Sequence, residues 1–528
     1  MKIKNLLTLV AMLLVTSAFA RVDFALTEFP VSGFRNIDRV VDACAAPAAS
    51  SFWCERMDET LMLIPTKGAD FFFNDAGELV AVFAKQQKGQ DLRGNYQIDN
   101  ATNLIPMGAV MPGNALLLDG EYLAPEDATA SWEQVSDTEF LGTFSFTLPG
   151  LDVTRNVIVS NITHIITTTV EAVRTEAGEE DAMLQLGYPG LGRADSPVIK
   201  IGQGESSSLN PVSTPVPGAD YVSLQTSDNN RGYAIVMRPA GSGSETPLSL
   251  DEAVSAPVTD SGLTATSLSG HRIAMGHMLP AEAGAVTGLA VETYTGPNEL
   301  VRFNQEGFAD LPGLFSPNIL GQMSLGIIWL LVFIHGFVGT WGLAIIGLTL
   351  VFRVLIWPLI TTQTKSMFAM QQLQPKIQAL QKKYKDDREK LTQETMKLYK
   401  EEKVNPAGGC LPILLQMPLF IILWRVFVNF EFNEGFMWLP DLGSPDPFYI
   451  LPILYVGVML AQSYFSTKGN PTMLRQQIFI NLIFVFIIVN FPSGVILYFV
   501  VSMLVQVFQY WLISRNQPAR PVVPAKAK

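Results

Sequence analysis

The stretch WGLAIIGLTLVFRVLIWPLI, residues 341–360, runs into TTQTKSMFAMQQLQPKIQALQKKYKDDREKLTQETMKLYKEEKVNPAGGCLPILLQMP, which ends at Pro418, and it decides the fold. From Trp341 to Ile360 every residue is apolar or small except Thr349 and Arg353, and about 20 such residues cross a bilayer. Arg353 comes 12 residues after Trp341, about 18 Å along a helix, which places it past the midplane. A charge there costs an isolated span about 2.5–3.5 kcal/mol. Either the long stem lets it snorkel to the near headgroups, or it faces protein or water at a functional site. Thr349, one turn earlier, extends the polar stripe and favours the second reading.

Beyond this span, Met367, Met370, Leu373, Ile377, Leu380 and Tyr384 are spaced by three and four, a helical stripe. Asp386 and Asp387 interrupt it and are placed to cap a second helix carrying Leu391, Thr395, Leu398 and Tyr399. Residues 364–404 therefore read as an antiparallel helical hairpin, with Pro375 expected to kink its first arm. Residues 363–403 hold ten Lys and Arg against six Asp and Glu, and basic residues beside spans mark the cytoplasmic side.

The segments LQPKIQALQKKYKDD from Leu373, LYKEEKVNP from Leu398, GGCLPILLQMP from Gly408 and FPSGVILY from Phe491 resemble the YidC branch of the YidC/Oxa family of membrane protein insertases. The resemblance covers roughly 316–514 in the right order, with the Arg353 span in place. It implies a catalyst without covalent chemistry that lowers the barrier for nascent helices to enter the bilayer. It also implies that Arg353 lies in a hydrophilic groove open to cytoplasm and lipid but closed outward, that the Lys-rich hairpin is a mobile entry platform meeting nascent chain and ribosome, and that a Sec translocon can be a partner.

Charge divides the chain. Residues 321–528 carry 18 Lys and Arg against 10 Asp and Glu, net +8, whereas the first 320 carry 18 against 38, net −20. An acidic soluble part and a basic-looped membrane part on opposite sides of a membrane account for that. Residues 1–20, MKIKNLLTLVAMLLVTSAFA, have Lys2 and Lys4, a short apolar run and Ala18-Phe19-Ala20. They read as a signal peptide or a first membrane span, and either would export the domain behind it. Cys44 and Cys54 fall in the exported part; an oxidising compartment permits a disulfide, while spacing alone leaves two buried thiols equally open.

Residues 21–310 are rich in Gly, Pro, Ser and Thr, with short alternating runs at Thr143–Thr147, Val153–Val159 and Ile165–Val173. These are strands, and the domain is expected to be an antiparallel β-sandwich, of the mutarotase type by the resemblance. Ser206–Pro217 and Ala240–Thr246 read as loops. His164, His271 and His277 are scattered with no carboxylate pair or metal spacing, so structural roles are expected, and Asn161-Ile162-Thr163 is a chance glycosylation match. The resemblance also suggests that Tyr294 to Pro297 closes the domain.

Loop charges then set the topology. Residues 319–338 are apolar enough to cross, but a crossing there would put the basic hairpin outside; they read as an interfacial helix on which His335 and Gln322 can face water. Spans come next at 341–361, 410–430, 449–466, 474–490 and 494–514, with a cytoplasmic tail at 515–528. The fold expected is thus multidomain α and β: the sandwich plus a polytopic helical membrane domain of five spans with a cytoplasmic hairpin, in a bacterial inner membrane.

The five spans hold no Asp or Glu, which argues against ion-coupled transport. Arg425 lies toward the outer end and reads as an anchor. Groove partners for Arg353 and Thr349 are sought among Gln416, Asn481, Tyr498, Ser502 and Gln506, each of which could equally be interhelical glue. On the hairpin, Lys382, Lys383 and Lys385 suit ribosomal RNA or anionic lipid, and Met367, Met370 and Met396 give adaptable apolar contacts. No cofactor, metal or DNA is expected. The rival readings are a solute transporter or channel, and a membrane-anchored carbohydrate-binding protein.

Overall fold

The computed structural model describes residues 25–38, 44, 52–85, 92, 96–97, 102–106, 108–192, 197–209, 215–226, 232–241, 262–385, 387–402, 411–432, 434–466, 478–479 and 488–515. The described residues divide into two compact units, 25–318 and 319–515.

The first unit is built of antiparallel sheets. Strands β1 (Thr27–Pro30), β2 (Thr60–Pro65), β3 (Ala69–Phe73) and β4 (Leu79–Ala84) make a four-stranded meander. A nine-stranded sheet runs, edge to edge, β13 (Ser206–Leu209), β12 (Val198–Gln203), β14 (Tyr221–Gln225), β15 (Tyr233–Pro239), β18 (Val286–Pro297), β10 (Ile165–Arg174), β9 (Leu151–Ser160), β8 (Glu139–Leu148) and β7 (Glu126–Gln134). The third sheet orders β16 (Thr264–Leu268), β17 (Arg272–Leu279), β11 (Ala182–Tyr188), β5 (Ala115–Leu118) and β6 (Glu121–Tyr122).

Alternation explains the packing: in β8, Phe140, Gly142, Phe144, Phe146 and Leu148 are buried while the residues between them are half-buried or exposed. Those side chains share one core with Leu184, Leu186, Ile273 and Met275 of the five-stranded sheet and Phe71, Phe72 and Val82 of the four-stranded one. Edge strand β7 is exposed along nearly its whole length, carries Glu126, Asp127 and Glu133, and slips register between Glu126 and Thr129.

Two sequence readings change. Ser206–Pro217 is not wholly loop, because Ser206–Leu209 pairs with β12 as an edge strand. His164 does have a carboxylate partner: its Nδ1 is 3.1 Å from Glu306 Oε1, and its backbone N–H donates to Glu306 Oε2 at 3.1 Å. Periodicity within one strand cannot reveal a partner 142 residues away. That carboxylate comes just after helix α1 (Leu300–Gln305), whose first turn is capped by Glu299 accepting from the Val301 N–H at 2.7 Å. His277 Nδ1 lies 3.1 Å from the Met278 carbonyl, and Asn161 donates to the Asp137 carbonyl at 3.2 Å. Cys44 and Cys54 are joined by a disulfide.

The second unit contains α2 (Ile319–Val338), α3 (Trp341–Lys383), α4 (Arg388–Glu401), α5 (Leu411–Asn429), α6 (Ile450–Ser466) and α7 (Ser493–Arg515). Helix α7 packs against α3, α5 and α6, while α2 lies on α3 and α5. Among the described residues, Ile319–Val338, Trp341–Thr362 and Ser493–Ile513 are long and apolar enough to cross a membrane, and Met417–Asn429 and Ile450–Ser463 are shorter apolar helices. The expected span 474–490 falls almost wholly outside the described residues. Length and composition alone do not separate α2 from a crossing helix, and Trp329, Phe333 and Phe337 on it are exposed.

The span expected at 341–361 and the arm expected from 364 lie on one helix. Helix α3 continues for 43 residues through Pro358 and Pro375. The hydroxyls of Thr361, Thr362 and Thr364 donate to the carbonyls of Trp357, Pro358 and Ile360, bonds made within α3 next to the Val354 carbonyl, which Pro358 cannot serve. Asp387 accepts from the Lys390 N–H at 3.0 Å to cap α4, and Lys376 pairs with Glu402 between α3 and the residue after α4. Asp386 lies outside the described residues.

In the first unit, Lys85 Nζ is 2.7 Å from Asp70 Oδ1 with both side chains almost wholly buried, and the Tyr96 hydroxyl donates to Asp70 at 2.9 Å. Replacing Asp70 with Ala strands the ammonium, and unfolding in denaturant should show a loss of about 3–5 kcal/mol.

Candidate functional site

Helix α3 presents Arg353 to α7, where Arg353 Nε donates to Ser502 Oγ at 2.9 Å. The arginine is only 7% exposed, although it lies in one of the most apolar parts of the chain. Thr349 is fully buried one turn earlier, its hydroxyl donating to the Ile345 carbonyl at 2.7 Å. Its hydrogen-bonding capacity is therefore partly spent inside its own helix.

On α7, Tyr498 is buried one turn before Ser502, so the two share a face towards Arg353. Gln506 is half-buried a turn further on and makes none of the bonds just named. Aromatic rings pack beside this face: Phe499 lies 5.6 Å from Phe420 on α5 and 6.1 Å from Tyr455 on α6. Among the described residues Arg353 has no carboxylate partner, and its one cross-helix bond is to a neutral hydroxyl. A buried guanidinium left with unmatched charge is a receptor for polar or anionic groups.

Residues beyond those picked out by spacing complete the helix pair. Gln509 Nε2 donates to the Trp357 carbonyl at 3.1 Å and to Thr361 Oγ1 at 3.0 Å. Gln509 falls two turns after Ser502 on the same face, a signal available in the sequence. At the other end of α3, Glu434 accepts from the Trp341 N–H at 2.8 Å and lies 3.3 Å from His335 Nε2. His335 stacks on Trp341 at 3.9 Å instead of simply facing water. An unsatisfied first helical turn attracts an acid, whereas the sequence offers no sign of Glu434 in that role.

Of the other expected residues, the side chains of Gln416, Met367 and Met370 and all of Asn481 lie outside the described residues. Lys382, Lys383, Lys385 and Met396 are exposed on the hairpin. Arg425 is half-buried, with its carbonyl accepting from Asn429 Nδ2 at 2.9 Å.

The fold and site define a helical membrane protein with a cationic residue buried between two apolar helices and a large β-sheet unit ahead of them. Residues 333–520 match the family described as 60Kd inner membrane protein. A membrane protein insertase YidC of Deinococcus radiodurans is 36% identical over 352 residues, 65% of this chain and 76% of that protein. The YidC of Haemophilus ducreyi is 47% identical over 195 residues, 36% of each chain. A solved structure titled as an active YidC insertase with its first transmembrane domain resolved aligns with a TM-score of 0.53 at 19% identity, covering 87% of this chain and 93% of that one.

The chain belongs to the YidC/Oxa family of membrane protein insertases. It is therefore a membrane protein insertase, with nascent membrane proteins as its substrates. The relatives lend no support to a solute transporter or a carbohydrate-binding protein.

Replacing Ser502 with Ala removes the hydroxyl that Arg353 meets and should lower stability in detergent by about 1–2 kcal/mol. Thr349→Val, whose hydroxyl bonds within its own helix, should cost less in the same melting experiment; the reverse order would show that the Arg353–Ser502 bond is not what holds the pair.

Proposed function

We propose that this insertase works through a hydrophilic, inward-open groove containing Arg353, which receives the polar flank of an incoming helix. The observation that carries the reading is a guanidinium, buried among apolar helices, whose cross-helix partner is a hydroxyl and not an acid. Moving an unsatisfied polar group into hydrocarbon costs several kcal/mol. A fixed positive charge in a partly aqueous cavity lowers that cost, most of all for an acidic flank, and shortens the distance the flank must travel. Thr349, Tyr498, Ser502 and Gln506, with Gln416 and Asn481, are assigned to its lining. The apolar part of the substrate then leaves sideways into lipid.

The hairpin of α3 and α4 is the entry platform. Its exposed Lys382, Lys383 and Lys385 attract ribosomal RNA and anionic lipid, and Met396 adds an adaptable apolar contact. Loop charge puts this hairpin and the tail 515–528 in the cytoplasm and the β-sheet unit in the periplasm, with five spans after it and α2 lying at the outer surface. The mutarotase likeness of the β-sheet unit and cooperation with a Sec translocon rest on the family resemblance.

Proteoliposomes carrying Arg353→Ala should fail to insert a single-span substrate with an acidic outer tail, while a substrate with an uncharged tail suffers less. A photoreactive residue at 353 should crosslink to stalled nascent chains. Wild-type insertion of the acidic substrate by Arg353→Ala would remove the groove-charge mechanism.

A further inference from the structure

Gln509 is not among the residues assigned above to the groove. Its side chain is buried, its Nε2 reaches both the Trp357 carbonyl and Thr361 Oγ1 on α3, and its Oε1 is buried with no partner among the described atoms. The Trp357 carbonyl can only accept, so the amide nitrogen must face it. An apolar side chain would fill this position without burying a lone carbonyl oxygen; the amide therefore brings something besides packing.

What it grips is the stretch of α3 around Pro358. Pro358 has no N–H to give the Val354 carbonyl, and three hydroxyls in the next six residues bond back to the helix backbone, a pattern that loosens and bends helices. Beyond this point α3 continues as the first arm of the Lys-rich hairpin. The contact pairs 353 with 502 and then 357 and 361 with 509 advance together along both helices, so α3 and α7 run parallel and are joined at two heights.

We infer that Gln509 is a positioning residue for insertion: by holding α3 to α7 on both sides of Pro358, it sets the direction in which the hairpin arm leaves the membrane helices. The arm's bearing on the entrance to the Arg353 cavity is fixed in consequence. The effect on insertion rests on the proposed role of Arg353, whereas the effect on the arm does not.

The test uses the full chain in proteoliposomes, with Cys410→Ser and spin labels on cysteines placed at Thr392 of α4 and Leu504 of α7, both exposed. Gln509→Leu should shift or broaden the distance distribution between the labels and slow insertion about fivefold. Thr361→Val should act in the same direction, and the double variant should be no worse than Gln509→Leu alone. If Gln509→Leu does not fold, Gln509→Met gives the same comparison at closer volume. A distance distribution matching that of the unmutated chain, or a changed distribution with undiminished insertion, overturns the proposal. Normal insertion by Arg353→Ala would sink the groove reading and leave the arm measurement standing.

Discussion

Everything in the helical unit depends on one requirement: a guanidinium placed deep in an apolar stretch has to be met by protein. Hydrocarbon offers Arg353 nothing, and the near headgroups lie at the end of a long stem. The structure answers with Ser502, which draws α7 onto α3 at the height of the charge. Tyr498 and the aromatic rings around Phe499 then fall on the same side, so a polar spot forms inside an otherwise oily bundle. Because the answer is a neutral hydroxyl, the two helices are joined without an acid to balance the charge.

How much of this can be read from residues alone differs by the kind of signal. Strands β8, β9 and β10 are legible because alternation is local, and the cap at Asp387 is legible because a turn acid before a helix has one ready use. Arg353 and Ser502 are each marked by polarity in an apolar run. Their pairing, 149 residues apart, is reached through a shared face and not through any local pattern. Gln509 satisfies the same criterion, but Gln506 occupies the more familiar i+4 position and masks it.

Other features are out of reach for physical reasons. That α3 runs as one helix of 43 residues across Pro358 and Pro375 is not something the helix-breaking tendency of proline announces. Glu306 beside His164, and Glu434 beneath the start of α3, come from chain distances of 142 and 93 residues. Only the closed fold brings such partners together, and there they satisfy groups that a strand or helix end leaves open.

The exposed border strand Glu126–Gln134 has a further meaning in a protein of this family. An insertase works among polypeptides that have not yet found their own partners, and a long straight sheet margin would offer them a ladder to climb onto. Here acidic side chains and a backbone step near Asp127 spoil that ladder. The margin can thus stay open to water without offering a ready edge for strand pairing.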